Sequence, residues 1–383
     1  AIFALVGAIK GFWKSVVGAV VQLILLVVVM FVTPGVANLI GNIDVSGFTS
    51  SSSVTIGEVE IQVTSIREMI CQWLTASGYV SPVNGQSIYE AAMGLTNIVL
   101  SLAVFVVLAI FVFFFGWLIS TLIYHTIFKW FIPKKIRMKH KMRWLGALSG
   151  AVMGFFSVFL LMTPFSYLGN TVKQNEDAIK ALKGTSDDKM DQILDYATLY
   201  GESEFGSDWM YSMSSFVVNQ ATSSDYLGGK ANFSDITSLL AGLSKGFSKG
   251  LTGNNNSSLD FALIVGDRAA VDGILETLIG NNIIVKVMPS LLKAAVTYVK
   301  TPESIDLTKL DFEDVDFSTE FTTIQGIYDN LYDAGFIKSM ISGDLSVDSS
   351  KQDYYIDALE KLASDPLVIK NLSVLMSESA CNI

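Results

Sequence analysis

The residues best suited to chemistry are two histidines, His125 and His140, two cysteines, Cys71 and Cys381, and an acidic run of Asp306, Asp311, Glu313, Asp314, Asp316 and Glu320. A histidine can act as a general base or proton relay, a cysteine as a nucleophile or half of a disulfide, and clustered carboxylates as calcium ligands. Their settings argue against each use. Both histidines fall at the edge of, or within, a basic segment beside a long apolar run, so a serine or cysteine nucleophile in the C-terminal half has no histidine as its base. His125 reads as an interfacial histidine with a structural hydrogen bond. The acidic run lacks the spacing and glycine of an EF-hand loop and reads as a solvated linker. No Walker-type phosphate loop, HExxH or paired CxxC occurs. The expectation is a protein that is not an enzyme and needs no metal or other cofactor.

What must position these residues is a membrane bundle. Of the 383 residues, 51% are hydrophobic, more than an ordinary soluble chain carries. Residues 1–40 read as transmembrane helices 1 and 2, the first truncated to its tail before Lys10, and residues 87–168 as helices 3 and 4. Pro34-Gly35 is expected to kink or end helix 2, whose buried Gln22 reads as an interhelical hydrogen bond. The fourth helix opens with Arg143-Trp-Leu-Gly-Ala-Leu-Ser-Gly-Ala-Val-Met-Gly154. Its glycines recur every fourth residue, which leaves one helix face bare for close packing. Gly7, Gly11, Gly146, Gly150 and Gly154 are therefore the candidate packing residues, within one subunit or between copies in a homo-oligomer.

Charge sets the expected orientation. Lys10 and Lys14 mark one turn, and Lys134, Lys135, Arg137, Lys139, Lys141 and Arg143 fill the loop 129–143 between helices 3 and 4. Cations beside span ends are retained in the cytoplasm, so both turns are expected inside. Residues 41–86 then form an extracytoplasmic excursion, with a short strand or hairpin over Val54–Val63 and a helix opened by a Ser65/Glu68 capping box. Residues 170–383 form an acidic extracytoplasmic domain of short helices, with a subdomain break near 250–258. Residues 1–169 hold ten Lys or Arg against five acids, whereas the remainder holds 16 against 31. An acidic outer half excludes nucleic acid as a partner. Cys71 and Cys381 both fall outside the membrane, where a bridge and two free thiols are both open. A faint repeat aligns 275–292 with 359–376, echoed at 327–338, which suggests stacked helical hairpins.

With Lys10-Gly11-Phe12, the long third span and the Arg143-x-Leu-Gly-x-x-x-Gly-x-x-x-Gly opening in view, residues 1–168 resemble the colicin V production protein (CvpA) family of bacterial inner-membrane proteins. The resemblance implies four membrane helices, a role in envelope homeostasis or export, and no catalytic residue. The fold class expected is thus all-α, a four-helix transmembrane bundle followed by an extracytoplasmic multi-helix domain. Its partners would be the lipid bilayer and envelope proteins. A transporter or channel subunit lined by glycine-rich helices is the competing reading, against which stands the scarcity of charge within the spans.

Overall fold

A backbone inside lipid has no water to bond, so a long apolar stretch satisfies its amides within a helix. The computed structural model describes residues 2–49, 53–56, 59–76, 86–131, 143–176, 179, 188–203, 208–252, 258–298, 309–343 and 347–372. Its apolar stretches form α1 (Ile2–Lys10), α2 (Phe12–Gly41), α4 (Gln86–Ile123) and α5 (Arg143–Gln174), with α3 (Ile66–Ala76) between α2 and α4. Among the described residues, α2, α4 and α5 are long and apolar enough to cross a membrane. The protein is a membrane-embedded, all-α protein. Where four spans were expected, the first of them truncated to its tail, three helices among the described residues are of span length; the nine residues of α1 rise about 14 Å against the roughly 30 Å of a bilayer core.

The membrane helices leave apolar faces bare. Leu23, Ile24, Val27 and Phe31 on α2, and Val107, Phe111, Phe114 and Leu118 on α4, are exposed, as lipid-facing positions should be. Pro34 does not end α2, which runs on to Gly41, and Pro164 sits within α5 in the same way. In both helices a fully buried threonine precedes the proline. Thr33 donates to the Val29 carbonyl at 2.6 Å and Thr163 to the Phe159 carbonyl at 2.7 Å, hydroxyl bonds of the kind that keep proline-containing helices satisfied in lipid.

The chain packs as two compact units, one of Ala1–Ile43, Asn97–Gln174 and Leu199–Ser224, the other of Asp44–Thr96, Asn175–Thr198 and Asp225–Ile383. The helix that follows α6 (Asp188–Gly201), α7 (Asp208–Thr222), was expected in the C-terminal domain but packs on α5 and α2 in the first unit. The sequence sets this contact: Tyr211 stacks on Tyr167 at 5.6 Å, and Asp208 meets Asn170 at 3.3 Å and Lys173 at 3.7 Å.

The second unit carries the hairpin β1 (Ser53–Ile56) and β2 (Val59–Gln62), paired antiparallel from Ser53↔Gln62 to Ile56↔Val59. The Ser65/Glu68 capping box opens α3, with Ser65 N–H donating to Glu68 at 2.9 Å and Glu68 N–H to the Ser65 hydroxyl at 3.3 Å. Two further hairpins, β3 (Ser224–Tyr226) with β4 (Gly229–Ala231) and β5 (Leu251–Thr252) with β6 (Ser258–Leu259), flank α8 (Phe233–Phe247). The remaining helices are α9 (Phe261–Gly266), α10 (Arg268–Ile279), α11 (Asn282–Tyr298), α12 (Phe317–Asp333), α13 (Phe336–Ile341) and α14 (Gln352–Ser364), then a last one over 366–372. Taken together, α10 and α11 also reach the length and apolarity of a span, but they bend by 94°. Their apolar side chains are used elsewhere: Leu275, Leu278, Ile284 and Met288 pack with Phe312, Phe317 and Phe321 in the core of this unit.

The acidic run is structural. Asp316 caps α12, accepting from Ser318 N–H at 3.2 Å and the Thr319 hydroxyl at 2.7 Å, and Asp311 pairs with Lys370 at 3.0 Å. Asp306 lies outside the described residues. Glu320 is buried on α12, and burial together with the neighbouring Asp365 carboxyl pushes its pKa up to about 7. A carboxyl raised in the folded state favours folding fully below its unfolded pKa of about 4.3 and loses that advantage as pH rises through its folded pKa. The midpoint of thermal unfolding of this unit should therefore fall between pH 5 and pH 8. Glu320→Gln should flatten that slope, as calorimetry of the full chain in detergent can check.

Candidate functional site: a glycine crossing and a lysine-lined cavity

The glycines named from the sequence meet in one place. A Cβ added to Gly7 would lie 2.2 Å from the Gly146 carbonyl oxygen and 2.7 Å from Gly150 Cα. One added to Gly150 would meet the Phe3 carbonyl at 2.4 Å, and one on Gly154 the Phe3 side chain at 2.5 Å. These contacts make α1 and α5 cross backbone on backbone, antiparallel. Gly11 then reverses the chain into α2 with φ of 83°, a conformation glycine adopts without strain. Its carbonyl and that of Gly7 both accept from the Ser15 hydroxyl, at 3.1 and 3.3 Å, which ties α1 to the first turn of α2.

The reversal puts two lysines at one end of the membrane unit. Lys10 Nζ sits 4.3 Å from the centre of the Trp117 ring, and Lys14 Nζ lies 5.9 Å from that of Tyr124, which itself packs on Val17 and Val21. Between α1, α2, α4 and α5 lies a cavity of about 370 Å³. Ile2, Phe3, Val6 and Met153 line its apolar part; Lys10, Lys14, Trp117, Ser120 and Thr121 line the rest. Deeper in the bundle Gln22 is buried, with its amide against Gly116 of α4, where a Cβ would come within 2.4 Å.

The other residues singled out from the sequence do not gather here. His125 is exposed in the π-helical turn Tyr124–Phe128, edge-on to the Tyr124 ring at 5.5 Å. Arg143 begins α5 and is exposed. Lys134, Lys135, Arg137, Lys139, His140 and Lys141 lie outside the described residues, as does Cys381, so only Cys71 of the cysteine pair is seen, buried on α3. Among the described residues no group of three His, Cys, Asp or Glu is placed to hold a metal. Trp117 reads from the sequence as part of an aromatic belt with Tyr124 and Trp130, whereas the cavity hydroxyls of Ser120 and Thr121 were not singled out. Their signal is one turn of α4 that places two hydroxyls beside an interfacial tryptophan.

A second polar cluster lies in the other unit, where Arg268 bonds Asp329 at 2.7 Å and Asp333 at 2.9 Å. It joins α10 to α12, and its partly exposed setting makes it a modest structural pair. No family model, no curated protein and no solved structure matches the chain.

The crossing can be tested directly. Gly150→Val meets backbone on α1, which has no side chain to swing aside, so it should cost about 1–3 kcal/mol or more of stability in the membrane unit. Gly35→Ala, with nothing within 4 Å, should leave stability equal or slightly higher. Thermal unfolding in detergent distinguishes them.

Proposed function

We propose that the chain is a non-enzymatic membrane protein of the bacterial cell envelope, similar to the CvpA family in its first 168 residues. In this reading the three spans anchor an extracytoplasmic helical domain, built of helix–break–helix units, that meets an envelope protein or wall component. The observation that carries it is the division of labour between the two units. Residues 1–43 and 97–174 contain no Asp or Glu, and their glycines are spent on close packing. Exposed acids and ion pairs are instead abundant in the second unit, as around Arg268 and Lys361.

The topology supports the orientation. Residues 44–96, between the first two spans, and residues 225–383, after the third, belong to one unit, which fits a chain that crosses the membrane three times. The Lys10–Lys14 turn lies beside the start of α5, since Gly146 stands against Gly11 and Phe12. Cations there favour the cytoplasm. A transporter reading draws less support, because coupled transport usually uses charge inside the spans.

The test is a cysteine placed at exposed Asp353 on α14, in a Cys71→Ser/Cys381→Ser background. A membrane-impermeant maleimide should label it in intact cells or spheroplasts without lysis. Labelling only after lysis would overturn the orientation. A photocrosslinker at exposed Leu359 should then trap an envelope component, and crosslinks to cytoplasmic proteins alone would reject the function.

A further inference from the structure

We propose that the cavity between α1, α2, α4 and α5 binds an anionic phospholipid, with one acyl chain in its apolar part and the phosphate between Lys10 and Lys14. Three observations converge on this. The cavity, about 370 Å³, falls at the size of a small-molecule site and is apolar toward Ile2, Phe3 and Met153. Both ammonium groups line it, and among the described residues the contacts of Lys10 and Lys14 are with aromatic rings, not with carboxylates. The segments that build this unit's spans contain no acid at all between 1 and 43 or between 97 and 174, so the protein's own spans supply no counter-ion there.

Two positive charges four residues apart, facing one space in a membrane protein, repel each other and call for an anion. The charged neighbour of Lys10 is Lys14 itself. The anion that is abundant at this depth is the lipid phosphate, because Trp13, Trp117 and Tyr124 place the corner at the level where interfacial aromatics sit. Ser120 and Thr121 add hydroxyls along the same wall. The Ser120 hydroxyl already donates to the Gly116 carbonyl at 2.7 Å, leaving its oxygen free to accept from a glycerol hydroxyl. A free phosphate would satisfy the lysines but leave the apolar part of the cavity empty, so the lipid is the better fit. This inference rests on embedding in a membrane and not on which side the lysine corner faces.

The experiment is native mass spectrometry of the full chain in detergent, titrated with phosphatidylglycerol or with phosphatidylcholine of the same acyl chains. Wild type should retain phosphatidylglycerol over phosphatidylcholine by on the order of ten- to thirtyfold, the effect expected of two lysines near a lipid phosphate. Lys10→Gln/Lys14→Gln should erase that preference, Lys10→Arg/Lys14→Arg should keep it, and Lys129→Gln, on the neighbouring turn, should leave it nearly whole. Val6→Phe, which fills the apolar part without touching charge, should weaken retention of both lipids. Equal retention of the two lipids by wild type would overturn the proposal. So would a preference that survives in the double Gln variant while its helical content matches wild type, or a loss as large in Lys129→Gln. Glycerol 3-phosphate should fail to displace the lipid at equal concentration; displacement would show that the headgroup alone is the ligand and would overturn the lipid assignment.

Discussion

The contact on which the membrane unit depends is the meeting of two bare backbones, Gly7 against Gly146 and Gly150. Lipid tails are as apolar as leucine, so helices in a bilayer are not driven together by hydrophobicity. They associate by packing, and packing at this distance is possible only where both partners lack a Cβ. The consequence reaches beyond α1. Held against α5, this short helix delivers Lys10 to the corner, and the left-handed Gly11 sends the chain back so that Lys14 stands beside it.

The second unit is held by different physics. Its helices are amphipathic and bury aromatic side chains, with Phe317 and Phe321 of α12 at the centre, where apolar area removed from water is the driving term. Polar residues at the helix breaks specify where each helix starts. Asn281 accepts from Ile283 N–H at 3.1 Å to open α11, and Asp365 accepts from Val368 N–H at 3.0 Å to open the last helix. Both breaks fall at matching positions of the faint repeat, 275–292 and 359–376. Burial of Glu320 beside Asp365 makes this joint sensitive to protonation.

The helical class, the long apolar elements and the glycine stripe were legible because each is a local signal: composition, run length and a four-residue spacing. The capping box at Ser65 and Glu68 and the alternation over 54–63 were legible for the same reason. Two things were not. Four spans were expected because residues 1–9 read as the tail of a truncated first helix, whereas three helices among the described residues reach the length of a span. The placement of α7 was hidden because its pattern, with Val217, Val218 and Ala221 buried and Trp209 and Phe216 exposed, is that of any amphipathic helix. Nothing local says whether the facing surface is a soluble core or a membrane span. Ser120 and Thr121 were not legible as site residues because a cavity is a property of four helices at once.

The second unit is stitched from pieces separated by membrane helices, with Gly94 set close against Tyr226 more than a hundred positions later. A ribosome releases residues 44–96 long before 225–383 exist. The early piece must then wait for contacts such as that of Gly94 with Tyr226. Such long-range closure is slow and leaves apolar surface uncovered in the interval. Completion of this unit is thereby paced by the synthesis of residues 225–383.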